Sequence, residues 1–170
     1  ITLQQKFLQL AEADGRTRQG WLEGLFASHP PSAERVERNR QTAAGIGTDT
    51  FSNFENMTGG SAGDTLTGNA GANVLRGGLG GDTLRGGGGS DTLDGGGGVD
   101  TADYSDAAGN LTIHMGFLAS QAVGGGLGSD NLISIENLKG GAFDDLVTGN
   151  AADNMIEGMD GADRIYGGNG

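Results

Sequence analysis

The chain has 170 residues with a net charge of −12, 36 glycines, two prolines and no cysteine, and 35% of its residues are hydrophobic. The lack of cysteine excludes disulfides and thiolate zinc sites, and 5% aromatic content leaves little large apolar surface for an ordinary two-layer core. The acidic balance opposes binding to nucleic acids and anionic membranes and favours divalent cations as partners. No apolar run approaches the roughly 18 residues of a membrane span.

A change in composition near Gly45 divides the chain. Residues 1–45 hold six basic and five acidic residues and four glycines, whereas residues 46–170 hold four basic and seventeen acidic residues and 32 glycines. Apolar residues at helical spacing, among them Leu3, Phe7 and Leu10, predict a short α-helical segment over residues 1–45. The chain begins at Ile1 without a signal segment, so we expect it to be a fragment of a longer protein.

Residues 59–103 repeat with a period of nine. Read in nines they give GGSAGDTLT, GNAGANVLR, GGLGGDTLR, GGGGSDTLD and GGGGVDTAD, and a second array from Gly140 gives GGAFDDLVT, GNAADNMIE and GMDGADRIY. Residues 48–89 also align without gaps on residues 129–170, at an offset of 81, with 17 of 42 pairs identical. This offset equals nine nonapeptides and indicates an internal duplication.

Each unit combines a turn with a short strand. The sixth residue is acidic or its amide and the eighth is apolar, while the glycines before them supply the positive φ angles that a tight turn needs. Because a strand alternates its side chains, we expect only the eighth residue of each unit to face inward. The predicted inward residues are Leu66, Leu75, Leu84 and Leu93, and the predicted outward ones are Arg76 and Arg85.

Two such units complete one coil of eighteen residues, so units two apart stack. Their sixth residues then form ladders of like charge at a spacing of about 4.8 Å, which repel one another unless a cation lies between them. Ca²⁺ takes six to eight oxygens from carboxylates and backbone carbonyls, whereas Mg²⁺ demands a stricter geometry. The predicted Ca²⁺ ligands are Asp64, Asp82 and Asp100 on one edge, Asn73 and Asp91 on the other, Asp145 and Asp163 in the second array, and the turn glycines Gly60, Gly78, Gly80, Gly87, Gly89, Gly96 and Gly98.

These units resemble the RTX (repeats-in-toxin, haemolysin-type) calcium-binding nonapeptide, Gly-Gly-x-Gly-x-Asp-x-U-x with U a large apolar residue. GGLGGDTLR and GGGGSDTLD match every position of that motif, and the resemblance covers residues 48–170. It implies an all-β fold, a right-handed parallel β-roll (β-solenoid) preceded by the helical segment, with Ca²⁺ bound between stacked turns. Asn73, Asn154, Phe143 and Ala152 depart from the motif, so weaker or absent metal sites are expected there.

The predicted organisation has four parts. Residues 1–45 form the helical segment, residues 46–103 the first β-roll array, residues 104–139 an irregular β-solenoid connector, and residues 140–170 a second array that stops within a unit. In the connector, alternating apolar residues around Ile113 and Ile133 predict longer irregular strands. Phe51, Phe54 and Met57 precede the first array as Leu132, Ile135 and Leu138 precede the second, so both groups are expected to be packing strands.

Two functions remain open on these residues. The first is a calcium-binding module of a secreted bacterial protein that uses type I secretion, folds on Ca²⁺ outside the cell, and acts as a scaffold with possible self-association at the cell surface. The second is the tail of a secreted hydrolase, because residues 21–39 resemble the C-terminal segment of bacterial zinc metallopeptidases. The zinc ligands of those enzymes have no counterpart here, so we expect no catalysis by this chain.

Simpler interpretations also exist for three features. Glycine-rich acidic sequence is typical of a disordered linker, and this is the expected state of residues 46–170 when no metal is bound. His29 and His114 stand 85 positions apart without a zinc-binding motif. Residues 86–89 resemble a phosphate-binding loop only in their glycine content, because no Gly-Lys-Ser/Thr follows.

Overall fold

The computed structural model describes residues 50–52 and 55–169, and within these it contains fourteen short strands and no helix. The predicted helical segment and Phe54 lie outside the described residues. In this part of the chain nothing has the helical length and apolarity that a membrane crossing requires. The strands are β1 (Thr50–Ser52), β2 (Asn56–Thr58), β3 (Thr65–Thr67), β4 (Val74–Leu79), β5 (Thr83–Arg85), β6 (Thr92–Gly97), β7 (Thr101–Asp103), β8 (Thr112–His114), β9 (Gln121–Ala122), β10 (Ser129–Ile133), β11 (Asn137–Lys139), β12 (Leu146–Thr148), β13 (Ile156–Glu157) and β14 (Arg164–Tyr166).

The strands of the first array alternate between two parallel sheets. One sheet has the order β1-β3-β5-β7-β11-β13, and the other begins β2-β4-β6-β10. Thr65 pairs with Thr83, which pairs with Thr101, so the chain returns to the same sheet every eighteen residues. The predicted parallel coil of two strands and two turns is confirmed over this array.

The four leucines predicted to face inward do line the interior of the coil. Leu66, Leu75, Leu84 and Leu93 have no exposed surface, and they pair as Leu66 with Leu84 and Leu75 with Leu93. Arg76 is exposed, and Arg85 forms an ion pair one coil onward with Asp103. The prediction for these leucines and arginines is confirmed.

The expectation that one residue in nine faces inward is wrong, because three do. In the first array the sixth, the eighth and the following first residue of a unit are all buried, as in Asp82, Leu84 and Gly86. These residues are two apart, so the strand alternation that buries the leucine also buries its neighbours on either side. The acidic side chains therefore lie inside the coil rather than along a solvated edge.

Glycine at the first position of each unit makes room for that buried carboxylate. A Cβ at Gly77 would overlap with the side chain of Asp82 and with the carbonyl oxygen of Gly95, and a Cβ at Gly86 would overlap with Asp91 in the same way. The φ angles of these two glycines are not positive, so what excludes a side chain is space and not backbone conformation.

The second array repeats the first on the opposite sheet. The offset of 81 residues equals nine units. Because each unit is half a coil, an odd number of units moves a strand from one sheet to the other. Leu75 of β4 lies in the five-stranded sheet, whereas its counterpart Ile156 of β13 lies in the six-stranded sheet. The longer sheet therefore runs through both arrays.

The connector ends one sheet and starts another. β9 pairs antiparallel with β10 and completes the sheet β2-β4-β6-β10-β9, while β8 begins a three-stranded parallel sheet with β12 and β14. The predicted longer strands are wrong here, since β8 to β11 have two to five residues. Ile133 is 40% exposed, because Leu132 and Ile135 take the inward places.

Gly77→Ala should destabilise the coil by about 1–3 kcal/mol, the usual range for overpacking, because its Cβ would displace Asp82 or the next coil. Gly88→Ala is the matched control, since a Cβ there makes only ordinary contacts with Ala70 and its φ is not positive. Thermal unfolding of both variants in saturating calcium measures the difference. Equal stability would contradict the packing role of the first glycine.

Candidate metal centre

The sixth residues of stacked units form ladders through the backbone. In each step a side-chain oxygen accepts a hydrogen bond from the peptide N–H of the residue one coil earlier. Asp64 N donates to Asp82 Oδ1 at 2.7 Å, and Asp82 N donates to Asp100 Oδ1 at 2.8 Å. Asn73 N donates to Asp91 Oδ1 at 2.9 Å on the other side of the coil.

The second array contains a similar ladder. Leu111 N donates to Asp145 Oδ1 at 2.8 Å, and Asp145 N donates to Asp163 Oδ1 at 3.0 Å. The predicted stacking of these aspartates is thus present, but the ladders are not the bare rows of charge that the sequence predicts. One oxygen of each carboxylate accepts a hydrogen bond from a peptide N–H group.

The second carboxylate oxygen divides the turns into two classes. In what we term closed turns, the amide of the second residue donates to the sixth side chain: Gly60 to Asp64, Asn69 to Asn73, Gly141 to Asp145 and Asn150 to Asn154, at 2.6–2.9 Å. These turns satisfy their sixth residue from within the chain. The asparagine units, predicted to be weak metal sites, belong to this class.

In open turns the same oxygen is left without a partner. Oδ2 of Asp82, of Asp91 and of Asp100 is buried and accepts no hydrogen bond within the described residues, although each side chain is at most 2% exposed. An unsatisfied buried polar group costs about 1–3 kcal/mol, and more when it is charged. Three such atoms in one short array call for a positive partner.

Backbone conformation separates the two classes. The second and fourth residues of the open turns are glycines with positive φ, namely Gly78 and Gly80, Gly87 and Gly89, and Gly96 and Gly98. In the closed turns neither position has positive φ, and Gly60, which was predicted together with these six glycines, is in that group. Because the second residue rotates away in an open turn, its amide no longer reaches the carboxylate.

Backbone carbonyls face the gap between stacked open turns. A Cβ at Gly96 would overlap with the carbonyl oxygen of Gly78, and a Cβ at Gly98 would overlap with that of Gly80. Within residues 55–169 no three acidic or histidine side chains converge as a metal cluster. A Ca²⁺ ion needs six to eight oxygens, so carboxylates in pairs and these carbonyls together are the donor set that fits it.

Burial raises the pKa of all three open-turn aspartates above 3.8. For Asp82 and Asp100 the neighbouring carboxylates of the ladder add to this effect, whereas backbone hydrogen bonds to Asp82, Asp91 and Asp100 oppose it. Asp103, outside the ladders, behaves differently. Burial by itself would raise the pKa of Asp103, but the hydrogen bonds from Ser105 and Arg85 together have the larger effect, so the pKa of Asp103 is lowered.

Two further ladder residues lie in the connector and are not among the predicted ligands. Asp100 N donates to Glu136 Oε2 at 2.9 Å, and Asp91 N donates to Asp130 Oδ1 at 3.0 Å, so Glu136 and Asp130 continue the two ladders from within the connector. Asp130 is fully buried and accepts a second hydrogen bond from the Tyr104 hydroxyl at 3.0 Å. Burial raises the pKa of Asp130 to about 6.

The fold and the ladders define a parallel β-coil whose turns present buried carboxylates and backbone carbonyls to a hard cation. Residues 58–92, 67–102 and 138–170 match the RTX calcium-binding nonapeptide repeat (4 copies). Both arrays are therefore RTX repeats, and Ca²⁺ is the ion that such repeats bind. No curated protein and no solved structure gives a significant match to the chain.

The resemblance of residues 21–39 to zinc metallopeptidases stays a prediction. Those residues lie outside the described part of the chain, and the RTX match does not extend to them.

Without calcium, acidification should stabilise the folded arrays. Asp82, Asp91, Asp100 and Asp130 have higher pKa values when folded than when unfolded, so the folded state binds protons more tightly and gains stability as pH falls. For Asp130 this gain develops as pH falls through about 6. Because the chain without calcium is expected to be largely unfolded, far-ultraviolet circular dichroism in chelator between about pH 7 and about pH 4.5 measures the gain as β structure that forms on acidification. Less β structure at the acidic end would contradict the raised pKa values.

Proposed function

We propose that this chain is a calcium-binding module of a secreted bacterial protein, which folds on Ca²⁺ outside the cell and then acts as a structural scaffold. The single observation that carries the proposal is the unpaired, buried Oδ2 atoms of Asp82, Asp91 and Asp100. These atoms lie in the repeats that match the RTX calcium-binding family. A fold that buries such charges needs the cation to be stable.

The open turns are the proposed metal sites. Asp82, Asp91 and Asp100 supply carboxylate oxygens, and the six positive-φ glycines of the same turns supply carbonyl oxygens. Bound there, Ca²⁺ neutralises the carboxylates that the fold has removed from water. Asp163 joins this group, because Met159 and Gly161 in its turn also have positive φ.

Closed turns have a supporting role in the proposal. Asp64 accepts a hydrogen bond from the Gly60 amide of its own turn, and Asp145 accepts one from the Gly141 amide of its own turn and another from Leu111 N. They can share a cation with the open turn stacked on them, Asp64 with Asp82 and Asp145 with Asp163. Asn73 and Asn154 complete their turns with an uncharged amide and have less to gain from a cation.

Folding and calcium binding are then one equilibrium. Before folding, the acidic chain has little apolar surface to bury and its charges repel, so the unfolded state is favoured. A cation that binds only the folded form adds RT ln(1 + [L]/Kd) of stability per site. Since the sites stack along one coil, each bound ion also orders the turns that form the next site, and folding becomes cooperative.

This linkage suits secretion. RTX repeats are typical of secreted bacterial proteins, and we propose type I export, in which the chain passes unfolded out of a calcium-poor cytoplasm. Extracellular modules work at Kd values of about 10⁻⁴–10⁻³ M. Folding would therefore begin where calcium becomes abundant.

Self-association at the cell surface is part of the same proposal. Among the strands of the described residues β14 pairs with β12 alone, and its Ile165 and Tyr166 are 44% and 57% exposed. Ile165 occupies the eighth position of its unit, and the residues at the same position in two other units, Leu84 and Val147, are buried. An exposed strand edge with apolar side chains is a surface on which another strand can pair.

A second candidate function is the tail of a secreted hydrolase. The observation that favours it is the resemblance of residues 21–39 to the segment that follows the catalytic domain in zinc metallopeptidases. A His-Glu-x-x-His motif upstream in the gene would support this candidate, and an upstream region made of further repeats would contradict it.

A calcium titration followed by far-ultraviolet circular dichroism should convert the repeats from coil to β structure, and magnesium should not replace calcium. Asp82→Ala should raise the calcium midpoint far more than Asn73→Ala, because Asp82 lies mid-ladder with an unpaired oxygen whereas Asn73 is satisfied by Asn69. Asp106→Ala, at an exposed acidic residue, controls for the charge change. An unchanged spectrum up to 10 mM calcium, a dose above extracellular-type Kd values, would refute the function, and equal midpoints for the two ladder variants would refute the site assignment.

A further inference from the structure

The five-stranded sheet has a free edge in the connector. On one side β10 pairs with β6 through residues 131–133, whereas on its other side β9 pairs only with Ser129 and Asp130. Among the strands of the described residues, none continues the line of β9 beyond Asp130. The last three residues of β10 therefore have a strand on one side only.

The backbone of Leu132 points toward this free edge. Asn131 N donates to the carbonyl oxygen of Asp91, which places the Asn131 amide on the side of β6. Because successive residues of a strand direct their N–H and C=O groups to opposite sides, those of Leu132 point away from β6. A strand that extended the line of β9 would pair with them.

The free edge forms one wall of a groove of about 490 Å³, a volume within the range of about 300–1,000 Å³ that is typical of ligand sites. The other walls are the segment 115–118, which follows β8, and the turn residues 150–152. Most of the lining side chains are apolar, namely Met115, Phe117, Leu118, Leu132, Ile133, Ala151 and Ala152. The groove thus offers apolar contacts beside an open strand edge.

A shortened turn holds one side of this groove. β10 and β11 are joined by residues 134–136, whereas the turn 149–154 that stacks on them has six residues. Asn150 Nδ2 donates to the carbonyl oxygen of Ile135 at 2.8 Å and so fixes the longer turn on the shorter one. Ser134 has a φ of 49°, which residues other than glycine adopt only where the surrounding structure demands it. The groove is therefore formed before anything binds in it.

The groove also has bonding capacity that the chain does not use. Asn131 Oδ1 is buried there and accepts no hydrogen bond within the described residues. Ile133, Phe117 and Leu118 are 40%, 50% and 99% exposed. A buried acceptor without a donor and a cluster of exposed apolar side chains are both features that a bound partner would satisfy.

We propose that this groove binds an extended peptide segment with apolar side chains, which adds to β10 as a strand beside Leu132. Strand addition takes its affinity from main-chain hydrogen bonds and its specificity from pockets for alternate side chains. The free edge supplies the first, and the apolar walls supply the second. A donor on the peptide completes Asn131 Oδ1. This role goes beyond metal binding, because none of these groups is a proposed calcium ligand.

Charge narrows the class of peptide. The chain has a net charge of −12, and carboxylates lie next to the groove: Asp153 is exposed beside Ala152, and Asp94 is in register with Ile133. Opposite charge speeds association and favours a correct partner over an incorrect one. We therefore expect basic residues on either side of the apolar ones.

Binding of a fluorescent pentapeptide to the full chain in saturating calcium tests the proposal by polarisation. The probe is Lys-Val-Leu-Val-Lys with blocked ends, and Lys-Ser-Thr-Ser-Lys is its control of equal charge. The wild type should bind the apolar probe saturably and the polar one at least about tenfold more weakly. Ile133→Ser should weaken binding of the apolar probe by about tenfold, whereas Phe143→Ser, at a 41% exposed residue outside the groove, should not change it.

A backbone-methylated form of the apolar probe tests strand pairing on the wild type and needs no variant to fold. It keeps the side chains but has no N–H groups to donate along the edge, so it should bind at least about tenfold more weakly. Four results would each overturn the proposal: no saturable binding, equal binding of the apolar and polar probes, equal binding by Ile133→Ser and Phe143→Ser, or undiminished binding of the methylated probe.

Discussion

The structure depends on aspartate carboxylates that are buried inside the turns of the coil and bonded through one oxygen to the peptide group of the previous coil. This bond sets the register between coils, because Asp82 can meet the amide of Asp64 only when the two units stack directly. It also creates the weakness of the fold. In the open turns the other oxygen has no partner among the described residues, so the interaction that aligns the coils leaves charge that the protein alone does not compensate.

The glycines of the repeat follow from that carboxylate. The first glycine leaves the space into which the side chain folds, and the second and fourth bring carbonyl oxygens toward the next turn. Four units that lack one of these glycines have turns that close on themselves, whereas the turn of Asp163 keeps a positive φ at Met159 and Gly161. Ala62, Phe143 and Ala152 stand at the fourth position of closed turns, and there the second amide bonds directly to the sixth side chain. Departures from the repeat thus separate turns that need a cation from turns that do not.

Much of this architecture was predictable from the period of nine. The register of Leu66 on Leu84 and the stacking of Asp64, Asp82 and Asp100 follow from two units per coil, since both depend only on spacing along the chain. The burial of the aspartates was missed, although the same two-residue alternation that buries Leu84 also buries Asp82 and Gly86. A charged residue in a sequence usually indicates an exposed position, whereas the peptide groups that accommodate these carboxylates inside the coil come together only in the fold.

The connector was less predictable for a different reason. Its ladder residue Asp130 lies 39 positions from its donor, which is not a whole number of nonapeptides, so the period does not identify it. Glu136 lies 36 positions from its donor, which is four nonapeptides, but in a segment that lacks the repeat. The antiparallel return of β9 depends on the positive-φ glycines from Gly124 to Gly128, which allow the chain to reverse before it rejoins the coil. The repeat spacing predicts the repeated strands and turns. The path of a segment that leaves the coil depends instead on contacts that form only in the folded chain.

The most direct test of this account is the location of calcium ions in crystals of the calcium-loaded chain, from the anomalous scattering of calcium. The account predicts ions between stacked open turns, with Asp82, Asp91 and Asp100 among their ligands at about 2.3–2.6 Å. Ions found only at exposed acidic residues such as Asp106, Asp153 or Asp160, with the buried carboxylates uncoordinated, would contradict it.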